Sequence, residues 1–200
     1  MSADSTPQAL ASAMRSIEAA FLVDARGATL PGATEVWLVR HGDCYEGMEG
    51  GDPPLSPNGR EQARRLADRI GRLRFEAVYS SPLRRALETA RTLAGAVRVD
   101  ERLVEVHTEL EDGYVRPAEQ PAGVLARMGE AVSDAVAEHP GGRVLMVGHA
   151  LAIMALVCDV LRVEFGTLRV LPYYTSVNVV RVLGDRRMVG SLADVAHLEA

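Results

Sequence analysis

Five side chains able to do chemistry stand at or just beyond apolar runs. Arg40 and His41 end the run in "VWLVRHGD", Arg84 lies in "SSPLRRALETA", Glu105 closes "RLVE", and His149 ends "VLMVGH". A strand that buries Val36, Trp37, Leu38 and Val39 has no structural need for an arginine and a histidine at its tip. Arginines clustered beside the imidazoles suit a phosphate, which accepts their planar fork of donors. Two histidines and a glutamate could also ligate zinc. However, the chain has no HExxH or similar short ligand spacing, and arginines beside the site repel a dication. A serine triad of the nucleophile-elbow type needs GxSxG, which is absent.

Those residues need a common platform, and the sequence pattern supplies one. Glu35–Arg40, Ala77–Ser80, Val97–Val99 and Arg143–Val147 read as strands, with Val177–Val182 and Arg187–Gly190 closing the set. Helices alternate with them. Ser56-Pro57 is a cap followed by proline at the first helical position, with Ala63, Leu66, Ala67, Ile70 and Leu73 behind it on one face. Ser81-Pro82 repeats the signal ahead of Leu83, Leu87, Ala90 and Leu93. A helix from about Ala122 to Glu138 buries Val124, Leu125, Met128, Val132 and Val136, and Ala150–Leu161 is apolar almost all round. The segment from Glu105 to about Gln120 reads as irregular. Strand and helix alternating in this way predict an α/β fold, a three-layer α/β/α sandwich on a mostly parallel sheet. In such sheets ligands bind beyond the carboxyl ends of the strands, where His41, Arg84, Glu105 and His149 all fall.

Composition narrows the function classes. The 200 residues suit one domain, here 34–200, with an extension at 1–33 in which Leu10, Met14, Ile17 and Phe21 recur at helical spacing. All 22 basic residues are arginine, so lysine Schiff bases and the lysine of a phosphate-binding P-loop are excluded. A net charge of -5 argues against nucleic acid as the partner but permits a small anion in a pocket with its own field. Cys44 and Cys158 form no CxxC, which favours a reducing compartment over a disulfide framework. Neither a signal peptide nor a membrane span is visible, so the cytoplasm is the expected location.

The motifs "LVRHGD", "LSPNGREQARRL", "VYSSPLRRALETA", "RLVE" and "VLMVGHALAIMAL" occur in the order found in the histidine phosphatase superfamily, and residues 35 to 183 resemble its phosphoglycerate-mutase-like fold. The resemblance implies a phosphohistidine route. His41 would accept the phosphoryl group. Arg40, Arg84 and His149 would surround the phosphate oxygens, and Gly42 would let the backbone approach them. Glu105 would protonate the leaving oxygen and then deprotonate the attacking water. No cofactor and no metal are implied, and the partner would be a small phosphorylated metabolite.

Within that family the chain departs from the mutase branch. "DCYEGMEGGDPP" stands where the mutases carry Trp-Asn, "EVHTELEDGYVRP" lacks their Gly-x-Trp-Glu-Gly element, and Ala150 replaces the glycine common after the second histidine. A mutase must hold and turn its monophosphate away from water, for which this short acidic insert offers little. The expected activity is therefore a phosphatase acting on a phosphomonoester. The alternatives are a phosphoglycerate-type mutase and a catalytically idle phosphate-binding domain. Asp43, Tyr45 and Asn58 are candidates for the substrate side. Tyr173 and Tyr174 are expected to pack between the late strands, and His107, His139 and His197 to occupy surface or loop positions.

Overall fold

A computed structural model describes residues 29–45, 51–111, 114–170 and 172–199. The helix expected from Leu10 to Phe21 lies outside the described residues. Eight strands occur among them: β1 Thr34–Arg40, β2 Ala77–Ser80, β3 Arg98–Val99, β4 Thr108–Glu111, β5 Tyr114–Pro117, β6 Arg143–Gly148, β7 Val177–Leu183 and β8 Arg186–Asp194. The helices are α1 Pro57–Ile70, α2 Arg84–Leu93, α3 Pro121–Glu138 and α4 Ala150–Leu161.

Six strands form one sheet in the order β3-β2-β6-β1-β7-β8. The first four run parallel, and β7 and β8 are antiparallel additions. Each face of the sheet carries a pair of helices because the strands are apolar on both sides. Val36 and Leu38 of β1 join Val144, Met146, Met128 and Ile153 in one core. Val39 joins Leu66, Ile70, Ala86, Ala90, Leu145 and Val147 in the other. This is the three-layer sandwich read from the sequence.

Strand register sets the position of the site. Arg40 pairs with Gly148, and Ser80 with Val147, so β1, β6 and β2 end level with one another. The chain leaves the sheet from that edge with ladder bonds continuing one residue further: the His41 amide donates to the Gly148 carbonyl at 3.0 Å, and the Ser81 amide to Val147 at 2.9 Å. The expected irregular stretch after Glu105 is instead a two-stranded hairpin, β4 with β5, paired from Thr108–Pro117 to Glu111–Tyr114. Its acidic, proline-bearing sequence hides the strand alternation. The Ser81-Pro82 signal also sits early: the helix cap is Leu83, whose amide Ser81 Oγ accepts at 3.3 Å.

Candidate active site

The loop after β1 holds the nucleophile candidate rigidly. His41 is 5% exposed, and its Nδ1 lies 2.7 Å from the Gly42 carbonyl. A carbonyl can only accept, so Nδ1 carries the proton and Nε2 keeps its lone pair. Arg85 Nε donates to that Nε2 at 3.2 Å. Burial first, then the Arg85 and Arg40 charges, depress the His41 pKa to about 3, against opposing contributions from the Gly42 carbonyl and Asp43. The ring is therefore a neutral imidazole at ordinary pH, which is the form that can attack an electrophile.

His149 lies behind it, fully buried, with the two ring centroids 5.1 Å apart. Arg85 Nη2 donates to its Nδ1 at 3.3 Å, since a guanidinium has no acceptor, so Nε2 bears the proton and donates to Ser81 Oγ at 2.8 Å. Burial, then His41 and the two arginines, pull its pKa down to about 2.

Arg84, expected in the phosphate pocket, is not there. Its side chain is exposed and bonds Glu88 one turn along α2 at 2.8 Å, while its amide is capped by Asp52. The neighbouring Arg85 takes the place by the two histidines. Successive helical side chains diverge by about 100°, so only one of two adjacent arginines can face the sheet edge. The signal that picks Arg85 is its place one turn before Thr89, a buried residue whose Oγ1 accepts the Gly42 amide at 3.0 Å.

Arg40 does reach the site. Its Nη1 donates to the Pro172 carbonyl at 2.7 Å, and its guanidinium carbon stacks 4.0 Å from the centre of the Tyr174 ring. Its Nε is buried with no hydrogen-bond partner among the described residues. Tyr174 also lies 5.7 Å from the His41 ring. The expectation that both tyrosines pack between late strands is thus corrected: Tyr174 stacks on the site arginine, and Tyr173 is 61% exposed.

Glu105 sits at the start of α4, whose cap residue, His149, provides no side-chain cap. Its Oε1 accepts the amides of Val106 at 2.9 Å and Ala152 at 3.1 Å, and Oε2 accepts Leu151 at a looser 3.4 Å. The carboxylate is thereby fixed at the first turn of α4 and close enough to act electrostatically on Arg40. Nothing in the strand pattern announced this capping function.

Gly42 serves packing more than anion contact. Its amide is taken by Thr89, and a Cβ there would meet the Gly59 carbonyl of α1 at 2.6 Å. Asp43 and Asn58 anchor the same junction: Asp43 accepts from Ser56 Oγ and Asn58 Nδ2, and Ser56 in turn caps α1 by accepting the Gly59 amide. Tyr45 is 45% exposed.

Sequence reasoning also missed a clasp behind the site. The Thr175 amide donates to both the Arg40 and His41 carbonyls, at 3.1 and 3.2 Å, with the residue held at φ +58°. A β-branched residue rarely adopts that conformation, which marks it as locally strained. Its hydroxyl donates to the Tyr174 carbonyl and accepts from His197 Nε2 at 2.8 Å. His197, expected at the surface or in a loop, is instead 6% exposed, and burial holds its pKa down near 4.

Fold and site together define a class, and comparison with known proteins states it outright. The family model described as the histidine phosphatase superfamily (branch 1) matches residues 36–114 and 107–195, and the chain belongs to that family. It is 29% identical over 160 residues to a probable phosphoglycerate mutase, GpmB, of Enterobacter sp. (strain 638), covering 64% of this chain and 74% of the relative. It is 26% identical over 162 residues to phosphoserine phosphatase 1 of Hydrogenobacter thermophilus, covering 64% and 76%. Among solved structures, YhfR of Bacillus stearothermophilus superposes with a TM-score of 0.71 at 28% identity, over 82% of this chain and 99% of that one.

Proposed function

We propose that this chain is a metal-independent phosphatase that hydrolyses a small phosphomonoester through phospho-His41. The observation that carries the reading is the state of His41: a buried, neutral imidazole whose proton is fixed on Nδ1 and whose Nε2 lone pair faces Arg85. Arg40, with a buried Nε that no atom of the described residues satisfies, supplies a second donor for an anion. Similarity to a phosphoserine phosphatase and to a probable phosphoglycerate mutase supports phosphoryl chemistry of this kind.

The residues divide the work as follows. Nε2 of His41 attacks phosphorus, the N–P bond forms, and the bond to the ester oxygen breaks. Arg40, Arg85 and His149 offset charge on the phosphoryl oxygens, acting as fixed donors that need no reorganisation. Glu105 gives its proton to the departing oxygen, then removes one from the water that cleaves the N–P bond and releases phosphate. Among the described residues no three His, Cys, Asp or Glu side chains are grouped to hold a metal ion. No described helix is long and apolar enough to cross a membrane. A reducing cytoplasm suits the buried thiol of Cys158, and a formal charge of -5 suits a small-molecule partner better than nucleic acid.

The test is hydrolysis of 4-nitrophenyl phosphate in EDTA by wild type and His41→Ala. Turnover that survives chelation and disappears in the variant, with an acid-labile phosphoenzyme trapped only in the wild type, supports the route. Turnover retained by His41→Ala sinks it. A mutase is the second reading, kept because of the GpmB similarity. It predicts product that retains its phosphate at a new position.

A further inference from the structure

An apolar slot borders the candidate active site and is used by none of the chemistry above. It is a cavity of about 120 Å³ lined on one side by Leu151, Met154 and Cys158 of α4 and on the other by Phe165, Leu168 and Val170 of the following loop. Every side chain in that set is apolar or a thiol, in contrast to the charged groups of the candidate active site. From Ala150 to Cys158 the helix wall runs about 12 Å at 1.5 Å per residue.

Three lining residues tie the slot to the site. Ala150 directly follows His149. Pro172 offers its carbonyl to Arg40. Leu151 lines the slot, and its amide holds Glu105. Glu105 is the group assigned to the departing oxygen, and Leu151, whose amide it holds, forms part of the slot's wall.

We propose that this slot receives the leaving group, and that the preferred substrate is a phosphomonoester whose alcohol is a short alkyl chain or a single small ring. The inference rests on the phosphatase reading and adds to it the chemical class of the alcohol. Size agrees with that class: an apolar cavity of about 150 Å³ holds one benzene ring, and such cavities exclude water when empty of ligand. A sugar or amino-acid alcohol would strip its hydroxyl or ammonium groups of water there without a replacement partner.

The test is a series of n-alkyl phosphates from methyl to hexyl, with glycerol phosphate as the polar comparison, in EDTA. For the wild type kcat/KM is expected to rise about three- to fourfold per methylene over the first few carbons, the factor that burying a methylene provides. It is expected to level off once the slot is full, with glycerol phosphate well below propyl phosphate. Leu168→Gln, on a partly exposed loop, should flatten the butyl-to-methyl ratio, and Leu168→Met should keep it. A flat series in an active wild type overturns the proposal and leaves the phosphatase reading standing. A slope unchanged in Leu168→Gln also overturns it, placing the preference elsewhere. If no ester is hydrolysed, the phosphatase reading fails and the proposal falls with it.

Discussion

Arg85 Nε points at the lone pair of His41 Nε2 from 3.2 Å, while Arg84, one residue earlier, points away into solvent and bonds Glu88. One guanidinium thus bridges both histidines, and the adjacent one belongs to a surface ion pair worth little. Arg85→Ala is expected to lower kcat on 4-nitrophenyl phosphate by about 10²–10³, the usual cost of a lost transition-state donor. Arg84→Ala should stay within about threefold of wild type. Equal losses in the two variants would contradict this assignment.

Three histidines are buried in neutral form, and the sign of their effect on stability follows from that. His41, His149 and His197 have folded pKa values near 3, 2 and 4, all below the unfolded value near 6.5. Protonation therefore favours the unfolded chain. Their contribution is complete above pH 6.5 and is lost as pH falls, at about 1.4 kcal/mol per histidine per pH unit, until the folded pKa is reached. Denaturation free energies between pH 6.5 and 5 isolate this effect, since most carboxylates titrate lower. His197→Gln should reduce the slope by about one proton, and an unchanged slope would remove His197 from the account.

Glu105 is held by three amides, and the proposed mechanism assigns it the departing oxygen. Glu105→Gln keeps an amide-accepting oxygen but cannot donate a carboxylic proton. The loss should depend on the alcohol: about 10²–10⁴ for an alkyl phosphate, where protonation matters most, and much less for 4-nitrophenyl phosphate. The ratio of the two rates is the measurement, and a constant ratio would deny Glu105 the acid role.

The stack of Arg40 on Tyr174 should be separable from the tyrosine hydroxyl. Tyr174→Phe is expected to keep activity within about threefold, whereas Tyr174→Ala should lose about 2- to 30-fold, the range of a cation–π contact. Because Tyr174 acts through Arg40, phosphate inhibition should weaken in the alanine variant in parallel. If Phe and Ala behave alike, the ring face is not what orients the arginine.

The sheet, its parallel character and the edge that carries the candidate site were legible because they rest on long apolar periodicities. β1, β6 and α4 each show in sequence what they bury. The site was legible to the extent that its residues follow strands directly, as His41 and His149 do. Arg84 and Arg85 are indistinguishable by type and neighbourhood, and only the helix face shared with Thr89 separates them. Tyr174, Thr175 and His197 were missed for another reason. Their contacts join the ends of distant segments, through a backbone conformation at Thr175 that no residue type announces. The hairpin β4–β5 was hidden because Thr108–Glu111 alternates with charged glutamates and Tyr114–Pro117 ends in proline, neither of which signals a strand.

The central place of β1 has a consequence for how the protein is made. It is the first described strand of the six-stranded sheet to leave the ribosome, yet both of its partners, β6 and β7, lie in the last third of the chain. At ordinary elongation rates of about 5–20 residues per second, its apolar backbone waits on the order of 5–20 s before either edge can pair. During that interval Val36-Trp37-Leu38-Val39 is an exposed, uncharged strand seeking a neighbour, the kind of segment that chaperones shield and that aggregates when they do not. The rigidity that fixes His41 in the finished molecule is therefore acquired late, and crowded synthesis should cost this protein yield before it costs activity.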